Sequence, residues 1–360
     1  MFNIFNRSKT KVQKQLAQQM TQFERRALEL PGTPPTTLPY ATYAAMEKDS
    51  MVQTALTIKR LAVLAPNWRV VAANESDAAK RNVDFVLQAF ERMAGSPPTI
   101  LSQAMGAFSR GWSVQEVVYR PDGKHITIES LREKDPSYFG IQSDEFGGIS
   151  GLTLRIPGEM DRILPRGKFI LYFNRSSFDR PKGQSDLDAA YPHYLAKQTL
   201  LKAWKLHLER FASPTVMAKY QRGLPAEEQS GILRALKELQ NNTAIVFPNE
   251  IDISTLGGHR EQVSGFLDAL EFHNREVARS ILGQTLTTDE GRRVGSLALG
   301  KVHLQVLLLQ VQAIRRELAD VVMTEQVIRP LIELNFGPGN IPRFEFEPTT
   351  LEAFTTGKLG

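Results

Sequence analysis

The 360-residue sequence predicts an α+β fold: short helices, then a small sheet, then long helices flanking a second α+β module. Three observations carry this. Apolar residues recur at helical spacing through residues 51–93. From Trp112 to Phe173 the pattern becomes β-branched and aromatic runs parted by turn signals. After Leu187, long windows return to helical periodicity almost without breakers.

The elements follow in order. Residues 8–29 carry Leu16, Met20, Phe23 and Ala27 at helical spacing on a polar background, which predicts an N-terminal amphipathic helix. Pro31, Pro34, Pro35 and Pro39 then impose an extended arm. Met51–Ala65 reads as a helix ended by Pro66. Ala78–Met93 is a second, with Val83, Val86, Leu87, Phe90 and Met93 on one face, and Thr99–Phe108 is a short third. Trp112–Tyr119 and His125–Ile128 form a hairpin across Pro121–Lys124, and Tyr138–Gln142 pairs with Leu152–Ile156 across Asp144–Gly148. Phe169–Phe173 is a buried strand. Strands this short predict a small mixed or antiparallel sheet covered by the preceding helices.

Leu187–Phe211 is glycine-free, with Pro192 near its start and Leu195, Leu200, Leu201, Trp204, Leu208 and Phe211 recurring along it. Ser213–Gly258 reads strand, helix, strand, strand: Thr215–Tyr220, Pro225–Leu239, Ala244–Phe247 and Ile251–Ser254. Gln262–Leu282 is helical again, Gly283–Ser296 is a polar loop, and Leu297–Arg329 runs with Gly300 as its only breaker before Pro330. At 1.5 Å per residue that last helix would reach about 45–50 Å, long for a globular chain and suited to an extended, assembled object.

Composition excludes several classes. With 42% hydrophobic residues the chain has material for one or two buried cores. It contains no cysteine, so disulfides, thiolate metal sites and a cysteine nucleophile are out. The richest apolar stretch, Val302–Val311, is interrupted by His303, Gln305 and Gln310 and is too short to span a membrane. At the N-terminus the charge (Lys9, Lys11, Lys14) follows a short apolar patch, the reverse of a signal peptide, so folding in the cytoplasm is expected. A formal charge of +5 permits contact with phosphates without demanding it.

Enzymatic signatures fail on inspection. Gly295–Lys301 resembles a phosphate loop, but Val302 stands where Ser or Thr must ligate magnesium, no strand precedes it, and its middle is the apolar start of a helix. The six histidines show no metal-ligand spacing, His273 and His303 falling on separate helices. Glu129, Glu133 and Asp135 cluster without a nucleophile or positioned base, as surface charge does. Trp68, Trp112 and Trp204 suit core or subunit-interface anchors. No enzyme and no cofactor are expected.

Several local sequences carry a family resemblance. Gly111-Trp112-Ser113-Val114-Gln115-Glu116 resembles a "GWS-x-x-E" strand entry. Arg180-Pro181-Lys182-Gly183-Gln184-Ser185-Asp186-Leu187 resembles a "P-x-G-x-S-x-L" lead into a long helix. Lys202-Ala203-Trp204 and Glu209-Arg210-Phe211-Ala212-Ser213-Pro214 follow. Ile281-Leu282-Gly283-Gln284-Thr285-Leu286-Thr287-Thr288, then Gly295-Ser296, is the most specific match, and Asn335-Phe336-Gly337 closes the last helix. Together, over roughly residues 10–345, they resemble the Mu-like portal proteins of tailed bacteriophages, the head–tail connectors.

That resemblance implies a portal fold. Residues 1–39 would be the N-terminal helix and arm, 40–194 a wing, 195–212 and 259–283 the two stem helices, and 213–258 a clip. Residues 284–296 would be a tunnel loop, 297–336 the long helix, and 337–360 a C-terminal strand and tail. Relatives continue into a helical crown; this sequence stops at Gly360, so a crown is missing, reduced or outside it. The implied function is a ring at one capsid vertex, most simply a homododecamer, through which DNA is packaged and ejected. Implied partners are other copies of the chain, double-stranded DNA held non-specifically, the terminase large subunit, head–tail adaptor and neck proteins, and major capsid and scaffold proteins, with no membrane. The implied location is the virion, after assembly in the host cytoplasm.

The residues expected at the channel constriction are Gln284, Thr285, Thr287, Thr288, Asp289, Glu290, Arg292, Arg293 and Ser296. Asp268, Glu271, Arg275 and Arg279 are candidates for the channel lining, and Glu227, Glu228, Arg234 and Lys237 for the clip surface. The mixed signs suit a duplex that must slide, because fixed Lys/Arg–phosphate contacts would grip it. Taken alone, the same charges also suit solvated faces of a globular helix hairpin, and the loop any surface connection. Other readings are a head–tail adaptor or, from a different class, a packaging ATPase or nuclease.

Overall fold

The computed structural model describes residues 38–143, 149–177, 180–211, 215–219, 225–239, 252–256, 260–284 and 297–348. It divides into two compact units, Tyr191–Val277 forming one and the flanking chain on either side the other.

In the flanking unit, α1 (Tyr40–Met46) leads to α2 (Ser50–Leu64), whose N-terminus is capped by Asp49 Oδ1 accepting from Met51 N at 3.0 Å and Val52 N at 3.3 Å. The helix stops one residue short of Ala65-Pro66, where proline disfavours helical backbone. β1 (Trp68–Val71) precedes α3 (Asp77–Arg92), capped by Ser76. The expected third helix is two, α4 (Pro97–Ala104) and α5 (Ala107–Arg110), divided at Met105-Gly106. Gly111 then turns the chain at φ +84° into β2 (Trp112–Asp122).

β2 pairs antiparallel with β3 (His125–Lys134) and with β7 (Phe169–Phe173), giving the order β3-β2-β7. The first hairpin is longer than expected, running to Asp122 and Lys134. A second antiparallel sheet has the order β4-β5-β6, from β4 (Phe139–Ser143), β5 (Ile149–Leu154) and β6 (Arg162–Pro165). Trp112, Val114, Phe139, Leu152, Phe169 and Leu171 bury one core between the two sheets. Helix α4 is fastened to β2 by buried polar side chains: Ser113 Oγ donates to Ala104 O at 2.8 Å and Gln115 Nε2 to Ile100 O at 3.0 Å.

The last helical run crosses this unit. α9 (Leu297–Glu317) passes without a break into a π-helical stretch (Leu318–Ile328) and then α10 (Arg329–Phe336). The helix therefore does not end before Pro330. The register changes from π to α there, so Pro330 falls in the first turn of α10, where its missing N–H is not needed. β10 (Arg343–Phe346) returns to pair with β1, setting Val70 opposite Phe344 and stacking Trp68 on Phe344. Both outer strands of the β3-β2-β7 sheet are closed by side-chain amides from this run. Gln326 bonds the N–H and C=O of Leu171, each at 2.8 Å, and Asn335 those of Ile126 at 2.7 and 2.8 Å.

The other unit holds most of α6 (Leu187–Phe211) and α8 (Arg260–Leu282), with β8 (Thr215–Lys219), α7 (Ala226–Leu239) and β9 (Asp252–Leu256) between them in sequence. β8 and β9 are antiparallel, Thr215 opposite Leu256. The expected strand Ala244–Phe247 and the N-terminal helix lie outside the described residues.

Candidate functional site

The segment that starts α6 is built where two of the sequence motifs meet. Gly183, at φ +74°, lies so close to Gly111 that a Cβ on it would sit 2.3 Å from Gly111 O and 2.7 Å from Asn174 O. No side chain fits there. The chain then bonds back through Gln184 N to Asn174 O at 2.7 Å and Asp186 N to Phe108 O at 2.8 Å. Ser185 Oγ donates to Ser109 O at 2.7 Å and accepts from Leu187 N at 3.0 Å, which caps the helix start.

Asp186 is the charged centre of this anchor, 1% exposed. Its Oδ2 meets Lys59 Nζ at 2.6 Å, while Oδ1 accepts from Arg175 at 2.7 Å and from Asn174 Nδ2 at 3.1 Å. Lys59 also lies 4.6 Å from the centre of the Phe108 ring. Two residues on, Asp188 Oδ1 accepts from Tyr43 Oη at 2.6 Å. Burial pushes the Asp188 carboxyl above its ordinary range, with the Tyr43 hydroxyl pulling the other way. Burial, with the Asp188 carboxylate beside it, holds the Tyr43 hydroxyl well above its own. Trp112 is buried as an anchor, stacked on Phe173 and donating from Nε1 to Tyr40 Oη at 2.8 Å.

On α8, Asp268, Glu271 and Arg275 are all exposed, and Arg279, one turn further in the flanking unit, is exposed too. Their spacing of three, four and four residues puts them on one face of the helix. Leu270 and Val277 occupy another face and are buried. On α7, Glu227, Glu228 and Arg234 are exposed. The two glutamates stand in the first turn, where the N-terminal dipole favours acids. The Lys237 side chain lies outside the described residues.

Of the expected constriction, Gln284 is buried; it follows Gly283, which at φ +70° lies against the Gln310 side chain of α9. Thr285, Thr287, Thr288, Asp289, Glu290, Arg292, Arg293 and Ser296 lie outside the described residues. Leu297–Lys301 forms the start of α9, so that part of the phosphate-loop look-alike is helix. Among the described residues no group of three or more His, Asp or Glu side chains is gathered to hold a metal. No helix among them is long and apolar enough to cross a membrane.

One pairing was not legible in the sequence. His193 of α6 and His273 of α8, eighty residues apart, bring their Nδ1 atoms to 3.1 Å. Neither spacing nor a local motif signals it, because each histidine sits alone on its own helix.

The family model described as the portal protein of Mu bacteriophage matches residues 40–356. The chain belongs to this family. It is 24% identical over 340 residues to the Mu-like prophage FluMu protein gp29 of Haemophilus influenzae, covering 86% of this chain and 61% of that protein. It is 24% identical over 296 residues to the portal protein of Escherichia phage Mu, covering 80% of this chain and 56% of that protein. The chain thus spans about three-fifths of the length of these curated relatives. The structure described as the neck of a native gene transfer agent particle, computed with C12 symmetry, superposes with a TM-score of 0.63 at 14% identity. That match covers 91% of this chain and 89% of the other. The fold is therefore the α+β portal fold, as the motifs implied, and the family is a structural one.

Proposed function

We propose that this chain forms a homo-oligomeric ring, of twelve subunits by analogy with the C12 neck it resembles, at one vertex of a phage capsid. The ring conducts DNA during packaging and ejection. The single observation that carries this reading is the family match across residues 40–356. The exposed charges on one face of α8 support its mechanical side. Two acids followed by two bases repel and attract a duplex over a short distance, giving weak, non-specific contact in place of a grip.

In this reading residues 40–194 are the wing, 195–212 and 259–283 the stem, 213–258 the clip and 284–296 the constriction. Glu227, Glu228, Arg234 and Lys237 offer the clip surface to the terminase large subunit and later to adaptor and neck proteins, and the wing meets capsid and scaffold. The chain performs no catalysis; a separate ATPase drives the DNA. The test is the mass of the native assembly by mass photometry, with negative-stain images of the same sample. Rings with a central hole and a mass near a dozen copies support the proposal. A compact dimer without a hole overturns it.

A further inference from the structure

The His193–His273 pair lies within one unit, between α6 and α8. The ring centres are 5.4 Å apart and the Nδ1 atoms 3.1 Å. These separations differ by about two imidazole radii, so both nitrogens lie near the line joining the ring centres. Their in-plane directions therefore face one another. That is the geometry of a hydrogen bond with one proton between two nitrogens. It is not chelation: a cation at about 2.0–2.1 Å from both nitrogens would sit off the line, and each ring would have to swing by roughly 40°.

The proton count follows from the chemistry of imidazole. With both rings neutral, one is the Nδ1–H tautomer and donates, and the other accepts. A first extra proton can be taken on the donor ring at Nε2 without breaking the bond. A second must go to the accepting Nδ1. Two N–H groups then face each other at hydrogen-bond distance, with two positive charges behind them. We propose that His193 and His273 form a proton-operated catch between α6 and α8, closed by one shared proton and opened when both rings become charged.

The surroundings agree. Burial first, then the positive charge of His193, hold His273 below the usual histidine range, and Glu276 one turn along α8 acts in the opposite sense. Phe272 packs edge-on to both rings, at 6.1 Å from His193 and 5.2 Å from His273, and offers no charge. On α6, Lys197 stands one turn from His193 and is buried. A histidine whose folded pKa is depressed resists a proton that the unfolded chain accepts. The stability the catch contributes is therefore whole above the ordinary histidine pKa of about 6.5 and is drawn down as the pH falls below it.

The experiment is hydrogen exchange by mass spectrometry on the full chain at pH 7.5, 6.5 and 5.5, corrected for intrinsic rates. Peptides covering residues 191–200 and 268–277 should exchange severalfold faster at pH 5.5 than at 7.5. In His273→Gln, and separately in His193→Gln, the amide keeps a hydrogen bond but cannot gain charge, and the acid-induced increase should vanish. His207→Gln, whose ring packs on Phe266, should keep it. Exchange that does not change with pH in the parent chain, or an acid response that persists in both single variants, would overturn the proposal.

Discussion

Gln326 and Leu171 hydrogen-bond reciprocally, side-chain amide to backbone, as two neighbouring strands would. The same Gln326 Nε2 also reaches Val321 O, five residues back within the π-helical stretch, at 2.8 Å. One side chain thus closes the edge of β7 and stitches it to the helix behind.

Gln326→Ala should therefore cost about 2–3 kcal/mol, since it leaves the N–H and C=O of Leu171 without partners at a part-buried edge. Gln326→Glu should fall between, because a carboxylate can accept from Leu171 N but cannot donate to its carbonyl. Urea unfolding of the three proteins checks the order. Equal stability of the parent and the alanine variant would show that water satisfies the strand instead.

The Lys59–Asp186 pair is 2.6 Å long with side chains 9% and 1% exposed. Asp186→Ala should destabilise the flanking unit by roughly 3–5 kcal/mol, because it strands a buried ammonium. Replacing both, Lys59→Met with Asp186→Leu, should cost less than Asp186→Ala alone. Thermal unfolding of the single and double variants reads this out, and a double variant worse than the single one contradicts it.

Two glycines should respond in opposite directions. Gly183→Ala cannot be accommodated, with φ +74° and backbone oxygen 2.3 Å from the new Cβ, and soluble yield should collapse. Gly231→Ala on α7 meets nothing within 4 Å and should stabilise that helix by about 0.5–1 kcal/mol. Helical content and melting of the two variants separate the cases.

If the charged face of α8 meets DNA, its acids keep the duplex loose. Asp268→Lys combined with Glu271→Lys should turn weak binding into tight binding that falls steeply with salt. Fluorescence anisotropy with a short duplex at about 50 and 200 mM salt tests this. Unchanged affinity in the assembled variant removes α8 from the channel wall.

The sequence made the hairpins and the long helices legible because turn residues and period are local signals. Pro121–Lys124 and the alternation around it announce β2 and β3, and the apolar period announces the helices. What escaped was set by partners far away. β6 is four residues ending in Pro165 and exists because β5 pairs with it. β1 is held by β10, some 275 residues later. Pro330 looked like a stop because local rules cannot foresee a change of helical register just before it. At the site, the spacing of Asp268, Glu271, Arg275 and Arg279 was enough to put them on one face. The Gly111–Gly183 contact was visible only as two separate motifs, and the histidine pair not at all.

The π-helical stretch Leu318–Ile328 has one more consequence. A π turn carries more residues than an α turn, so this segment holds surplus residues inside an otherwise regular helix. Removing a single residue here could be absorbed by reversion to α-helix, leaving Asn335 and β10 in place. The same deletion in α9 would rotate everything downstream by about 100°. The segment is thus the place where this helix can lose a residue without changing what lies at either end.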